Sequence, residues 1–211
     1  VRHGGFPYHL ALLQLAHDAS FRRHSPFADL PEFIRVTLAG FARGAPPHHH
    51  LVFKAHPLDD GRVPVARLIR TGAKALGIAQ RVHFVRGGKL AQLLNRAESA
   101  VTVNSTAAQQ ALWRGLPVKA FGAAVYAKPE LVSPQPLPAF FAAPQRPDVA
   151  AYRLFRRYML STSQVRGGFY SADGRREALR RVADMMLRAA DPYDALAPAS
   201  AAAGQHLRLV G

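Results

Sequence analysis

The chain has 211 residues, 49% hydrophobic and 19% charged, which suffices for one α/β domain with a buried core and excludes a disordered basic tail. No apolar run approaches the ~20 residues of a bilayer-spanning helix, and the absence of cysteine excludes disulfides, thiolate metal sites and a cysteine nucleophile. The net charge of +15 suits phosphate-bearing partners, but it is mostly arginine spread along an alanine-rich chain, so charge alone names no partner.

The first residue is Val1, with no methionine or signal peptide before it, so the chain is expected to begin partway into a longer gene product. His9 to Leu15 is a short apolar run that predicts a buried strand. Ala16 to Ser25 is polar and basic and predicts a loop. Pro31 opens a helix to about Ala42, with Phe33, Ile34, Leu38 and Phe41 at helical spacing, and Gly44-Ala45-Pro46-Pro47 ends it. Leu51 to Ala55 predicts a second strand, stopped by Pro57. A helix beginning at Pro64 carries Leu68, Ile69, Ala73 and Leu76 and closes at Gly77.

Arg81 to Val85 predicts a third strand and Leu90 to Ala97 a short helix. Ala100 to Val103 predicts a fourth strand that runs into Asn104-Ser105-Thr106 and a helix from Thr106 to Trp113, ended by Gly115. Pro117 to Phe121 predicts a fifth strand, followed by a Gly, Ala and Pro-rich loop through Pro138. Asp148 to Leu160 and Arg175 to Ala190 predict two more helices, and residues after Pro198 a flexible tail. Strands this apolar, alternating with helices, predict an α/β fold: a Rossmann-like, doubly wound parallel sheet with helices on both faces.

Ligands of such sheets bind outside the carboxyl ends of the strands, where three polar signals fall. Lys54-Ala55-His56-Pro57-Leu58-Asp59-Asp60-Gly61 follows the second strand; His56 could donate to a phosphate oxygen or satisfy a turn. Asn104, Ser105 and Thr106 follow the fourth, where a hydroxyl could cap the helix or meet an anion at its start. Gln14 to Arg22 follows the first, with Asp18 either paired with a neighbouring arginine or aimed into the cleft. His48-His49-His50 enters a strand with alternating faces, so no structural metal is expected. No G-x-S-x-G elbow, Walker loop or G-x-G-x-x-G fingerprint is present. Gly167 and Gly168 predict a tight loop that either brings backbone to a ligand or only turns the chain.

Taken in order, L-Q-L-A-H-D-A-S-F-R-R-H-S-P-F, K-A-H-P-L-D-D-G, R-V-H-F-V-R-G-G-K-L, V-T-V-N-S-T, G-L-P-V-K-A-F-G-A-A-V-Y and S-Q-V-R-G-G-F-Y resemble the capsule polysaccharide biosynthesis family of KpsS, KpsC and LipB type, over roughly positions 9 to 190. The resemblance implies a retaining glycosyltransferase that moves β-linked Kdo from CMP-Kdo to a phosphatidylglycerol-type lipid or glycolipid, for capsule assembly and export. It implies a GT-B-like architecture of which this chain is the C-terminal, donor-binding half. Residues 1–28 would enter from a missing N-terminal half, 29–190 would form the nucleotide-sugar domain, and 191–211 a tail.

By the same resemblance Asp18 is the catalytic carboxylate, and Lys54, His56, Asn104, Ser105 and Thr106 bind the donor, with Gln14, Ser20, Gly167 and Gly168 supporting. It implies no cofactor beyond the donor substrate and no metal. The partners would be a nucleotide sugar, a lipid acceptor and capsule export proteins, with the protein cytoplasmic and peripheral to the inner membrane. A nucleic-acid partner is not expected, since no recognition module is present. Ala107-Ala108-Gln109 and Ala127-Lys128-Pro129-Glu130 depart from the family's pattern, which leaves open a noncatalytic component that binds nucleotide or polysaccharide.

Overall fold

The computed structural model describes residues 5–169, 171–189 and 191–193, and these divide into two compact units, 1–153 and 154–211, with the boundary inside one helix. The first unit holds a five-stranded sheet: β1 (Tyr8–Leu12), β2 (His50–Lys54), β3 (Val82–Val85), β4 (Ala97–Thr102) and β5 (Val118–Ala120). Every pairing is parallel and the spatial order is β3-β2-β1-β4-β5. β1 is therefore central, with Leu10 opposite Val52 on one side and Ala100 on the other. A strand paired on both edges and covered on both faces has no wet side, which is why all five of its residues are buried.

The helices are α1 (Ala19–His24), α2 (Leu30–Gly44), α3 (Val65–Ala75), α4 (Leu90–Leu94), α5 (Ala108–Trp113), α6 (Leu137–Ala142), α7 (Val149–Thr162) and α8 (Ala172–Met186). α2 starts where Asp29 accepts from Glu32 N at 2.8 Å while Glu32 accepts from Ala28 N at 2.8 Å, a reciprocal cap. Its buried stripe of Leu30, Phe33, Ile34, Leu38 and Phe41 packs into the core with Leu51 and Phe53 of β2 and Phe140 and Phe141 of α6. α6 lies close on α2 because Gly44 carries no side chain; a Cβ there would overlap the Pro138 carbonyl. α3 ends as its sequence predicts: Gly77 has φ 69°, Gly77 N donates to Lys74 O and Ile78 N to Ala73 O, a Schellman closure.

The parallel α/β expectation holds, with local corrections. The predicted loop of 16–25 contains α1, a single turn and a half that buries only Phe21 and so leaves no apolar period to read. The predicted helix of 90–97 stops at Leu94, because Ala97 already pairs with Tyr8 and begins β4. α5 begins at Ala108 rather than Thr106: a tight turn comes first, with Ala108 N donating to Ser105 O and Gln109 N to Thr106 O. α6 forms where a Pro-rich loop was expected up to Pro138. The last helix runs Ala172–Met186 rather than 175–190. Most of the predicted tail, 194–211, lies outside the described residues, as does Tyr170.

Candidate functional site

A parallel sheet sends all its carboxyl ends to one rim, and in this strand order the chain reverses direction between β1 and β4. In open α/β sheets such a switch point is where ligands commonly bind, above the ends of the two strands, here β1 and β4. Gln14, two residues past β1, and Asn104, two past β4, meet across it. Gln14 Nε2 donates to Asn104 Oδ1 at 2.7 Å, and Asn104 N donates to Gln14 Oε1 at 3.0 Å. Asn104 Nδ2 donates to Ser20 O in α1 at 2.9 Å. Both amides are buried, so each polar atom needs such a partner. The result is a clasp that joins two strands 90 residues apart in sequence and fixes α1 to the rim.

Asp18 sits at the start of α1, where its Oδ1 accepts from Ser20 N at 2.9 Å. One carboxylate oxygen is thus engaged as a helix cap, and the clasp that holds Ser20 also fixes this cap. The expected bland role of Asp18, a partner for a neighbouring arginine, is replaced by capping, because the loop folds into a helix. Around β4 the polar groups continue. Thr102 Oγ1 donates to Leu12 O at 3.3 Å and accepts from Ser105 N at 3.3 Å. Ser105 Oγ accepts from Ala107 N at 3.3 Å, so it holds the turn before α5; no side chain caps α5 itself. Thr106 is exposed on that turn.

Tyr126, fully buried, donates to Ser105 O at 2.6 Å, and burial pushes its phenol well above the usual range. Its hydroxyl is a fixed neutral donor that holds the Ser105 turn from beneath. Gly122 lies against His24 O, Val103 and Asn104; a Cβ there would overlap the His24 carbonyl, so only glycine lets the chain after β5 close over α1. Thr102, Gly122 and Tyr126 escape a motif-based reading. Gly122 and Tyr126 both stand in the G-A-A-V-Y run already singled out, which was their only signal.

β2 is one strand from β1 on the other side, so its rim lies roughly 10 Å from that of β4. Lys54, at the end of β2, is buried with Nζ donating to Ala55 O at 2.8 Å and Arg86 O at 3.0 Å, and burial lowers its pKa. Its ammonium is therefore committed to the β3 side of the rim. His56 stands on the turn that Pro57 shapes, with Asp59 N donating to His56 O at 3.1 Å. Leu58 N donates to His56 Nδ1 at 3.2 Å, so in the neutral ring the proton resides on Nε2, which remains a donor. That tautomer satisfies the turn through Nδ1 and leaves Nε2–H as a donor.

Between the rims of β1 and β2 lies a cavity of about 350 Å³, lined by Gln14, His17 and Arg22 on one side and Asp59, Asp60 and Arg62 on the other. Its size falls in the range of small-molecule sites. Asp60 and Arg62 pair at 3.1 Å on its edge. Of the predicted site residues only Gln14 lines it. The structure thus brings together Gln14, Asp18, Ser20 and Asn104, links Ser105 to them through the backbone, and sets Lys54 and His56 on the neighbouring strand end. Gly167 and Gly168 belong to the second unit; Gly167 has φ 111° and Gly168 N donates to Gly174 O at 3.1 Å ahead of α8.

The family described as capsule polysaccharide biosynthesis protein matches residues 5–170. The chain is 35% identical over 163 residues to the capsule polysaccharide export protein KpsS of Escherichia coli, covering 77% of this chain and 42% of that protein. It is 31% identical over 163 residues to the capsule polysaccharide modification protein LipB of Neisseria meningitidis, covering 75% of this chain and 38% of that protein. The chain therefore spans about two fifths of the length of these relatives. Among solved structures it is similar to KpsC β-Kdo 2,7 transferase of Thermosulfurimonas dismutans, with 19% identity and a TM-score of 0.45 over 64% of this chain and 40% of that one.

Proposed function

The chain belongs to the capsule polysaccharide biosynthesis family, and from that premise we propose that its sheet rim holds the CMP-Kdo donor of a retaining glycosyltransferase acting on a phosphatidylglycerol-type lipid or glycolipid at the inner membrane. The observation that supports this reading is the clasp at the switch point, which ties the ends of β1 and β4 together and fixes the helix that Asp18 caps. The cytidylate phosphate would lie over the His56 Nε2–H, within reach of the Ser105–Thr106 turn. Lys54 would raise the local potential without direct contact, since its ammonium is held by two carbonyls.

Retention requires two inversions. In the first, the free carboxylate oxygen of Asp18 attacks the anomeric carbon of Kdo, forming a glycosyl ester as the bond to CMP breaks and CMP leaves as its anion. In the second, an acceptor hydroxyl attacks the same carbon, loses its proton to solvent or a nearby base, and regenerates the carboxylate. The cap from Ser20 N keeps Asp18 in one orientation, which supplies the alignment such an attack needs.

CMP release from CMP-Kdo with a phosphatidylglycerol-type acceptor tests the reading. The relatives are more than twice the length of the matched segment, so the assay uses the full-length gene product that contains this segment. Release should fall by about 10³-fold or more in Asp18→Ala, the scale of a lost nucleophile. Binding of CMP with no turnover in the parent would instead assign the protein to the noncatalytic, nucleotide-binding class.

A further inference from the structure

The cavity between the rims of β1 and β2 carries charge that the fold itself leaves unanswered. Its volume of about 350 Å³ lies at the low end of the ~300–1,000 Å³ range of small-molecule sites, room for one sugar rather than a whole nucleotide sugar. Gln14, His17 and Arg22 stand on one wall, and Asp59, Asp60 and Arg62 on the other. On the second wall most of the charge is engaged within the turn. Asp60 meets Arg62 Nε through Oδ2 at 3.1 Å and accepts from Arg62 N through Oδ1 at 3.1 Å. Asp59 accepts from Gly61 N through Oδ1 at 3.2 Å, while its Oδ2 has no partner among the described residues. On the first wall Arg22 is exposed, and among the described residues its guanidinium has neither an ion pair nor a hydrogen bond. Each wall is also continuous in the chain with a residue assigned to the donor. His17 immediately precedes Asp18, and Arg22 N donates to Asp18 O at 2.9 Å, which places Arg22 one helical turn beyond the Asp18 cap. Asp59 N donates to His56 O at 3.1 Å, so the opposite wall is the turn that presents His56.

An unanswered cation on one wall and an unanswered carboxylate oxygen on the other match a ligand that is anionic at one end and rich in hydroxyl donors at the other, which describes a sugar acid. A neutral sugar would leave Arg22 without a partner, and a second phosphate would bring like charge against Asp59. We propose that this cavity receives the acidic sugar of the donor and that Arg22 selects it, its planar fork pairing with the sugar carboxylate while Asp59 Oδ2 accepts from hydroxyls across the cavity. The inference rests on the donor reading and adds to it a specificity-determining residue.

Competitive inhibition of CMP release by the full-length gene product tests this, with CMP, free Kdo and the carboxamide of Kdo as the probes. The parent should bind Kdo about tenfold or more tighter than the carboxamide, the scale of one lost charge-assisted pair. Arg22→Gln should erase that preference and raise KM for CMP-Kdo about tenfold or more, while the inhibition constant of CMP stays as in the parent. Asp59→Asn, whose Oδ1 still accepts from Gly61 N, should weaken Kdo by a smaller factor and leave CMP unaffected. Arg23→Gln is the control: Arg23 is the next residue of α1 but does not line the cavity, and this variant should match the parent. Arg22 is exposed and unpaired, and unchanged far-ultraviolet circular dichroism identifies variants that remain folded. Equal inhibition of the parent by Kdo and its carboxamide, a parent-like KM in Arg22→Gln, or a loss of CMP affinity in that variant as large as its loss of Kdo affinity would overturn the inference. Those results leave the donor reading standing, since CMP binding and turnover by the parent report it separately. A parent that neither binds CMP nor releases it would remove both.

Discussion

Acidification below pH 6.5 is expected to destabilise this protein through His9. His9 is fully buried in β1, with Nδ1 2.8 Å from Ser99 Oγ and Nε2 2.9 Å from His49 Nδ1, and it meets Phe41 and Phe141 edge-on. Burial, with a smaller push from His49, lowers its pKa from 6.5 to about 3. His49 is itself lowered, by burial first and then by His48 and Arg81, with Glu98 opposing. A folded pKa below the unfolded one means that the unfolded chain takes up a proton that the folded chain refuses. Stability is therefore complete above pH 6.5 and is lost as pH falls toward about 3, with a slope near ~1.4 kcal/mol per pH unit. Over that window the loss is several kcal/mol on an order-of-magnitude basis, a large share of the ~5–15 kcal/mol typical of a domain. Urea midpoints across this interval measure it. In His9→Gln, which keeps an uncharged polar group near Ser99, the slope should flatten; an unchanged slope would move the effect to other groups.

Asn104→Ala is expected to cost about 3 kcal/mol, more than its modest size suggests. The substitution removes the two hydrogen bonds of the Asn104 side chain, from Gln14 Nε2 and to Ser20 O, keeps the backbone bond from residue 104 N to Gln14 Oε1, and strands the buried Nε2 of Gln14, which alone costs ~1–3 kcal/mol. Gln14→Ala should cost a similar amount for the mirror reason. The double variant Gln14→Ala, Asn104→Ala should be much less destabilised than the sum, with a coupling of ~1–3 kcal/mol. Urea unfolding with unchanged m-values gives the three numbers. Strict additivity would show that the two amides do not act as a clasp. Because the clasp also holds Ser20, the Asn104 variant should release α1 and with it the cap on Asp18, so turnover should fall further than stability does.

The order of strands and helices was legible because strands buried on both faces leave continuous apolar runs, as in Leu51 to Ala55, and because Gly77 and Gly115 mark helix ends by needing positive φ. α1 was not legible: A-S-F-R-R-H buries one side chain and carries its start signal, Asp18, inside a polar stretch. The clasp was only half visible. Gln14 and Asn104 each stood out at a strand end, but nothing local joins residues 90 apart; that pairing follows from β1 and β4 becoming neighbours. Asn104 consequently holds the rim through its amide rather than presenting that amide freely. Nor does Lys54 reveal in sequence that two carbonyls will claim its ammonium. His9 was hidden for the opposite reason, since an apolar run gives no hint that its one imidazole will be locked between Ser99 and His49.

Calorimetric titration of CMP into the full-length protein used for the turnover assay and into its His56→Ala variant tests the central claim most directly, because His56 Nε2–H is the group assigned to the cytidylate phosphate and its removal leaves the clasp intact. Saturable binding by the parent, weakened about tenfold or more in His56→Ala, is the expected result, given ~1.5–3 kcal/mol for a hydrogen bond to a charged group. Equal affinity in the two proteins, or no binding by a folded parent, would contradict it.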